Sequence, residues 1–356
     1  WTERNAALAV DLESSMAVQS IVATVETPRL NGTVAVGRPN ERTVVLESRG
    51  VRYQAPASAV QALLARDDSE GESDDRPGVV VAGDVPVDVS EGSLTFPLAL
   101  FNGAARAARE EDGAPASRVE GAFTTSAGPI AFRVGDGVKE TIDVLTLTAD
   151  VDGLADGIGL DISGSTLPRN TGAGVATAGT LSATGRIGNL MSETGELQPK
   201  NATLTLDATL ENIPTAAADA LLGLDGLLIA AIGSNLTNGS ITADDFSRDT
   251  GWTELDLQTT HSRLTGRVKG VDGALQTSPE DPPNATLALS PDLRDRLLKP
   301  IHPLLADIRT VEQPITMNVT EPFTIPLDGD VSKLNGALEL SVGPVEFDSG
   351  SISLLL

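Results

Sequence analysis

The chain contains no cysteine. That removes disulfides, thiolate metal sites and thiol nucleophiles, and it fits any redox compartment. Histidine is almost missing too: only His261 and His302 occur in 356 residues, and neither has a second histidine or a nucleophile at the spacing of a metal site or a catalytic triad. Aromatic residues make up 3% of the chain, with Tyr53 the one tyrosine and Trp1 and Trp252 the two tryptophans. A core must therefore be built from Val, Leu, Ile and Ala, side chains that suit a pleated, half-buried surface. No uncharged apolar run reaches the ~20 residues that a spanning helix needs. The nearest, 216–232, is interrupted by Asp219 and Asp225.

Positive charge is also short. The 25 basic residues face 50 acidic ones for a net charge of −25. This excludes the phosphate backbone of a nucleic acid as a default partner, and it excludes docking on an anionic membrane through charge. The chain opens at Trp1 without a methionine, which implies a fragment whose signal peptide or membrane anchor lies outside it.

What is present is apolar material in a period of two. Hydrophobic residues are 40% of the chain and the mean hydropathy is +0.00, enough for a substantial core. Alternation runs through Leu8/Val10/Leu12, Ile21/Ala23/Val25, Val34/Val36 and Val44/Leu46, with turn residues between the runs, the pattern of an antiparallel meander. Further strands follow at a spacing of roughly ten residues, most of them broken by Gly, Asp or Asn, the cadence of an all-β chain. The acidic stretch 67–75 is too charged to pack and reads as a solvated loop.

One unit organises this rhythm: a strand that leads into a short apolar helix. It occurs at 284–308, where the helix spans 291–308, at 201–232, where the helix spans 214–232 with Pro214 at its first position, and more weakly around the helix 56–65. Gly223 and Gly226 split the middle helix into two pieces, and Asn235 to Gly239 reads as a turn. Ser290 is placed to cap the last helix. A finer motif sets Gly midway between two apolar residues, in Leu30-Asn-Gly-Thr-Val34, Val119-Glu-Gly-Ala-Phe123, Leu264-Thr-Gly-Arg-Val268 and Leu334-Asn-Gly-Ala-Leu338. Glycine within a strand marks a bulge or a bend, and recurring bends curl a sheet.

These readings predict a mainly β fold: an elongated, curled antiparallel sheet, a β-groove, with a few short apolar helices between strand sets. The sections are 1–116, 117–200, 201–283 and 284–356, joined in one continuous sheet. Chemistry is harder to find. Asp150-Val-Asp-Gly153 with Asp156 and Asp161 lacks the closing Glu of a calcium loop and reads as a turn. Gly172-Ala-Gly174 does not open a helix after a strand and is no phosphate cradle. No catalytic residue, metal site or cofactor is assigned, and the expectation is that the chain is not an enzyme.

The segment Ser290-Pro-Asp-Leu-Arg-Asp-Arg-Leu-Leu-Lys-Pro-Ile-His-Pro-Leu-Leu-Ala-Asp-Ile308 resembles a helix-bearing segment of the AsmA/TamB-like bacterial envelope proteins. Leu221-Leu-Gly-Leu-Asp-Gly-Leu-Leu-Ile-Ala-Ala-Ile-Gly233 resembles their second recurrent helix, and the strand motif at Leu264 to Val268 is of their type. The likeness covers about the last 160 residues and extends upstream as rhythm. It implies a periplasmic protein of the cell envelope, anchored to the inner membrane by an N-terminal segment outside this chain. The function it implies is passage of phospholipid or another acyl-chain lipid along a hydrophobic groove, in the service of outer-membrane homeostasis. The groove candidates are Val175, Leu204, Leu206, Leu287, Leu289, Leu338 and Leu340. The rival expectation is a structural or adhesive extracytoplasmic β protein with a solid core. No nucleic acid, cofactor or protein partner is specified.

Overall fold

In the computed structural model the described residues are 7–14, 19–40, 43–64, 79–90, 92–97, 119–134, 139–153, 157–170, 176–190, 198, 201–222, 227–233, 236–247, 249–271, 274–291, 293–299, 305 and 307–326, with 335–347. The acidic stretch 67–75, Val175, Asp156, the Gly172–Gly174 pair, His302 and the segment 348–356 lie outside them.

The fold is mainly β, as the alternation predicts: a long antiparallel sheet of about 20 strands with a few short helices. Strands β1 (Ala7–Ser14), β2 (Gln19–Glu26), β3 (Leu30–Asn40) and β4 (Thr43–Ala55) form the opening meander. The next ladder position is shared. β6 (Val85–Val89) pairs with the second half of β4 and β7 (Gly92–Pro97) with the first half, and both pair on their other side with β8 (Glu120–Ala127). β10 (Lys139–Asp152) takes β8 along most of its length and β9 (Ile130–Val134) at its start, and β5 (Val79–Val81) adds to β9.

The ladder then continues through β11 (Ile158–Thr166), β14 (Thr180–Gly188), β15 (Thr203–Pro214), β16 (Leu236–Phe246), β17 (Trp252–Gln258) and β18 (Arg263–Val271). A second shared position holds β19 (Ala274–Thr277) and β20 (Asn284–Leu287), which bridge β18 to β22 (Ile315–Pro326), and β23 (Asn335–Ser341) follows. Two small ribbons stand apart, β12 (Arg169–Asn170) with β13 (Ala176–Thr177), and β21 (Ile308–Val311) with β24 (Val345–Phe347).

The strand-then-helix units explain where the helices sit. α1 (Ala57–Leu64) follows β4, α2 (Thr215–Leu222) and α3 (Leu227–Ile232) follow β15, and a π-helical turn (Leu293–Leu298) comes after β20. In an antiparallel ladder, strands an even number of steps apart run the same way. β4, β15 and β20 satisfy that, so all their helices emerge on one long rim and touch in the order α1, α2, α3, π turn.

Beneath this row lies the core: Ala55, Val85, Ile130, Phe132, Ile142, Leu210, Ile213, Leu257, Leu287 and Ile315 from the rim ends of the strands, against Ala216, Ala217, Ala218, Leu228, Ile229, Ile232, Leu293 and Leu298 from the helices. The small Ala216–Ala218 run is what lets α2 approach the sheet closely.

Three local readings change. The third helix is shorter than 291–308: Ser290 caps it, its Oγ accepting the N–H of Leu293 at 3.0 Å, but Ile308 already opens β21. Pro214 ends β15 and the helix starts at Thr215. The stretch from Leu236 to Gly239, read as part of a turn, is the start of β16, where Asn238 Oδ1 accepts the N–H of Asn212 at 2.7 Å.

Asp219, which looked like an interruption of an apolar run, is fully buried and accepts hydrogen bonds from the N–H groups of Leu228 at 2.7 Å and Ile229 at 3.3 Å. Its carboxylate thereby caps α3 from α2. Thr215 and Thr237, also fully buried, satisfy each other at 2.9 Å.

Two of the four glycine motifs, at Gly32 and Gly336, sit at bulges, while Gly121 and Gly266 lie in unbroken register. Between Asn31↔Arg52 and Thr33↔Arg49, β4 carries one residue more than β3, opposite Gly32. Between Ala337↔Glu321 and Asn335↔Thr324, β22 carries the extra residue opposite Gly336. Both glycines have φ of 152°, a region closed to side chains. A Cβ on Gly32 would stand 2.5 Å from the Val51 Cα, and one on Gly336 would stand 2.7 Å from the Phe323 Cα.

Two substitutions test these anchors by equilibrium denaturation. Asp219→Ala strands two buried N–H groups and is expected to cost about 2–4 kcal/mol. Gly32→Ala is expected to cost about 1–3 kcal/mol through backbone strain. An unchanged midpoint in either variant contradicts the role given to that residue.

Candidate apolar groove

Residues directly opposite in an antiparallel pair point to the same face, so the register carries one face across the sheet. One row runs Ala127–Leu145–Gly164–Leu181–Leu210–Gly239–Leu257–Leu264–Ala285–Met317–Leu340 without a polar side chain. Rows beside it hold Leu147–Ile162–Ala183–Ala208–Ile241–Leu255 and Phe123–Ala149–Leu160–Gly185–Leu206–Ala243. The opposite face is a different material. Its matching row reads Ser126–Thr146–Ser163–Ser182–Thr209–Ser240–Asp256–Thr265–Asn284–Asn318–Glu339.

Ion pairs on that polar side link neighbouring strands, Arg52 to Asp88 at 2.9 Å, Arg267 to Glu254 at 3.2 Å and Arg263 to Asp256 at 2.7 Å. They are exposed enough to be worth at most about 1 kcal/mol each. The Arg263 hydrogen bond holds the Asp256 carboxyl below its ordinary value.

Burial shows how the two faces are disposed. In β14, Leu181, Gly185 and Ile187 are half-buried and Ala183 buried, while Thr180, Ser182, Thr184 and Arg186 are exposed. The same alternation runs through β15, with Leu204 and Leu206 half-buried and Ala208 and Leu210 buried. The aliphatic side is thus the inner side of the curl. Its cover is uneven along β15: closed under the helices at the Leu210 end, partly open at the Leu204 end. Toward the first strands it opens further, with Val36 and its partner Leu46 at 38% and 37% exposure.

The groove candidates fall into distinct places. Leu204, Leu206 and Leu340 lie half-buried on the aliphatic face, and Leu338 lies on the same face at 38% exposure. Leu287 does not present surface to a groove: it is 1% exposed and packed in the helix-covered core. Leu289, just past the end of β20, packs against that core at the rim. Val175 is outside the described residues. Sequence reasoning did not single out the interior rows of β10, β11 and β14, although Leu147, Leu160, Ile162 and Ile187 were there as plain alternation.

Among the described residues, no group of three or more His, Asp or Glu side chains is placed to hold a metal ion. His261 is exposed in the β17–β18 turn. No described helix is long and apolar enough to cross a membrane. Comparison with known proteins returns no matching family model, no matching curated protein and no matching solved structure.

The uneven cover makes a prediction along one strand. Leu210→Asp buries a charge under the helices and is expected to destabilise by about 3–5 kcal/mol. Leu204→Asp, on the same face of the same strand, is expected to cost about 1 kcal/mol. Similar losses for both in denaturant unfolding would show that the face is closed from end to end.

Proposed function

We propose that this chain is a non-enzymatic segment of a bacterial envelope protein whose aliphatic face shelters the acyl chains of a phospholipid or another acyl-chain lipid. The observation that carries this reading is the pair of aliphatic rows beyond the helix-covered one, Leu147–Ile162–Ala183–Ala208–Ile241–Leu255 and Phe123–Ala149–Leu160–Gly185–Leu206–Ala243, backed by a face of Ser, Thr, Asp and Glu. A sheet with an apolar inner side and a polar outer side needs no directed chemistry to hold a lipid tail. Each CH₂ taken out of water contributes roughly 0.8 kcal/mol, and a lipid tail offers many. The resemblance of 290–308 and 221–233 to AsmA/TamB-like proteins supports the same reading, and with it a periplasmic protein anchored to the inner membrane by a segment outside this chain.

A second reading is a structural or adhesive β protein. The solid packing of Leu287, Leu293, Leu298 and Ile315 beneath the helix rim favours it. The readings separate on the half-open part of the face.

Native mass spectrometry and lipid extraction of the purified chain are expected to recover bound phospholipid. Leu206→Asp with Ile162→Asp is expected to abolish that signal while the unfolding midpoint shifts little. Recovery of no lipid from the unaltered protein, or of the same lipid load from the double variant, sinks the groove reading.

A further inference from the structure

An open pocket of about 690 Å³ lies at the helix rim, between the β17–β18 turn and the β21–β24 ribbon. Its floor is rigid. The turn is closed by the Thr259 N–H donating to the Ser262 carbonyl at 2.8 Å and the Ser262 N–H donating to Thr259 Oγ1 at 3.2 Å. Thr259 Oγ1 also donates to the Ile232 carbonyl at 3.2 Å, and the Ala288 N–H donates to Ser262 Oγ at 2.9 Å, tying the turn to α3 and to the chain beyond β20.

Basic side chains outnumber acidic ones in the lining of this pocket. In a chain of net charge −25, the pocket is lined by Arg263, Arg309 and His261, and by a single carboxylate, Glu312. Asp256 engages Arg263 through Nε at 3.0 Å and Nη2 at 2.7 Å, which fixes the guanidinium and leaves its Nη1 edge unused by that pair. Arg309 has no ion-pair partner among the described residues. Glu346, on the ribbon's other strand, is engaged by the Thr310 hydroxyl at 2.9 Å.

We propose that this pocket is an oxyanion site that takes a phosphate-bearing group, with Arg309 as its principal ligand and Arg263 as a pre-positioned second. Guanidinium groups suit phosphate because their planar donors match its oxygens. Free phosphate and a lipid headgroup share that chemistry, and the headgroup source alone rests on the groove reading.

Calorimetric titration of the whole chain with inorganic phosphate, glycerol 3-phosphate and dihexanoylphosphatidylglycerol, with chloride as control, tests this. Saturable binding of phosphate probes is expected, weakened about tenfold or more in Arg309→Gln. Glu312→Gln removes the opposing carboxylate and is expected to tighten binding roughly two- to fivefold. Both side chains are exposed, and unchanged unfolding midpoints check that each variant folds. A gain for the short-chain lipid over glycerol phosphate assigns the site to a headgroup. Equal affinities assign it to free phosphate, leaving the pocket standing without the groove. No saturable binding of any phosphate probe, or affinities that Arg309→Gln leaves unchanged, overturns the proposal.

Discussion

Everything in this molecule depends on side chains keeping their face from strand to strand. The side-chain period of a strand is two, so a slip of one residue would turn a strand's aliphatic set outward. The sequence does not keep a strict period: Leu210 and Ile213 in β15 are three apart, as are Ala243 and Phe246 in β16, yet both members of each pair belong to the inner side. The register absorbs the odd residue in bulges. Asn212 (φ 52°) lies inside the irregularity between Leu210 and Ile213, and Asp245 (φ 44°) lies between Ala243 and Phe246. Asn and Asp tolerate that left-handed conformation better than other side chains with a Cβ. The bulge therefore does two jobs, since it restores the face and it bends the strand.

That explains why the fold class was legible in the sequence and the site only partly so. Alternation is local, and it survives reading one strand at a time. β1 to β4 follow from Leu8/Val10/Leu12 and its successors, and β14 from Leu181, Ala183 and Ile187. Which end of each strand is closed is not local. It follows from ladder parity, which sends the helices after β4, β15 and β20 to one rim, and parity appears only when every intervening strand is counted. Leu287 and Leu204 read alike in sequence, each a leucine in a Thr-rich strand, and yet they lie at opposite ends of this gradient. Asp219 was misjudged for a related reason: in a run of apolar residues a carboxylate looks like a fault, and its use as a cap needs α3 folded back onto α2.

The rim and the open side answer different physical demands. Under the helices, leucines and isoleucines meet alanines at close range, and burying such side chains completely contributes roughly 1.5–3 kcal/mol each. Along the other end of β14 and β15, Ile187, Leu204 and Leu206 are half-buried and lie outside that helix-covered cluster. Aliphatic rows extend past the part that the helices cover. The polar side is unsuited to a covering layer, because a second sheet or helix layer there would have to bury the row of Ser163, Ser182, Thr209, Ser240 and Asp256, whose hydroxyls and carboxylate cost free energy to remove from water unless each finds a partner. The sheet thus has one polar face and one aliphatic face. At the helix rim, one pocket brings Arg263 and Arg309 together within an otherwise acidic molecule.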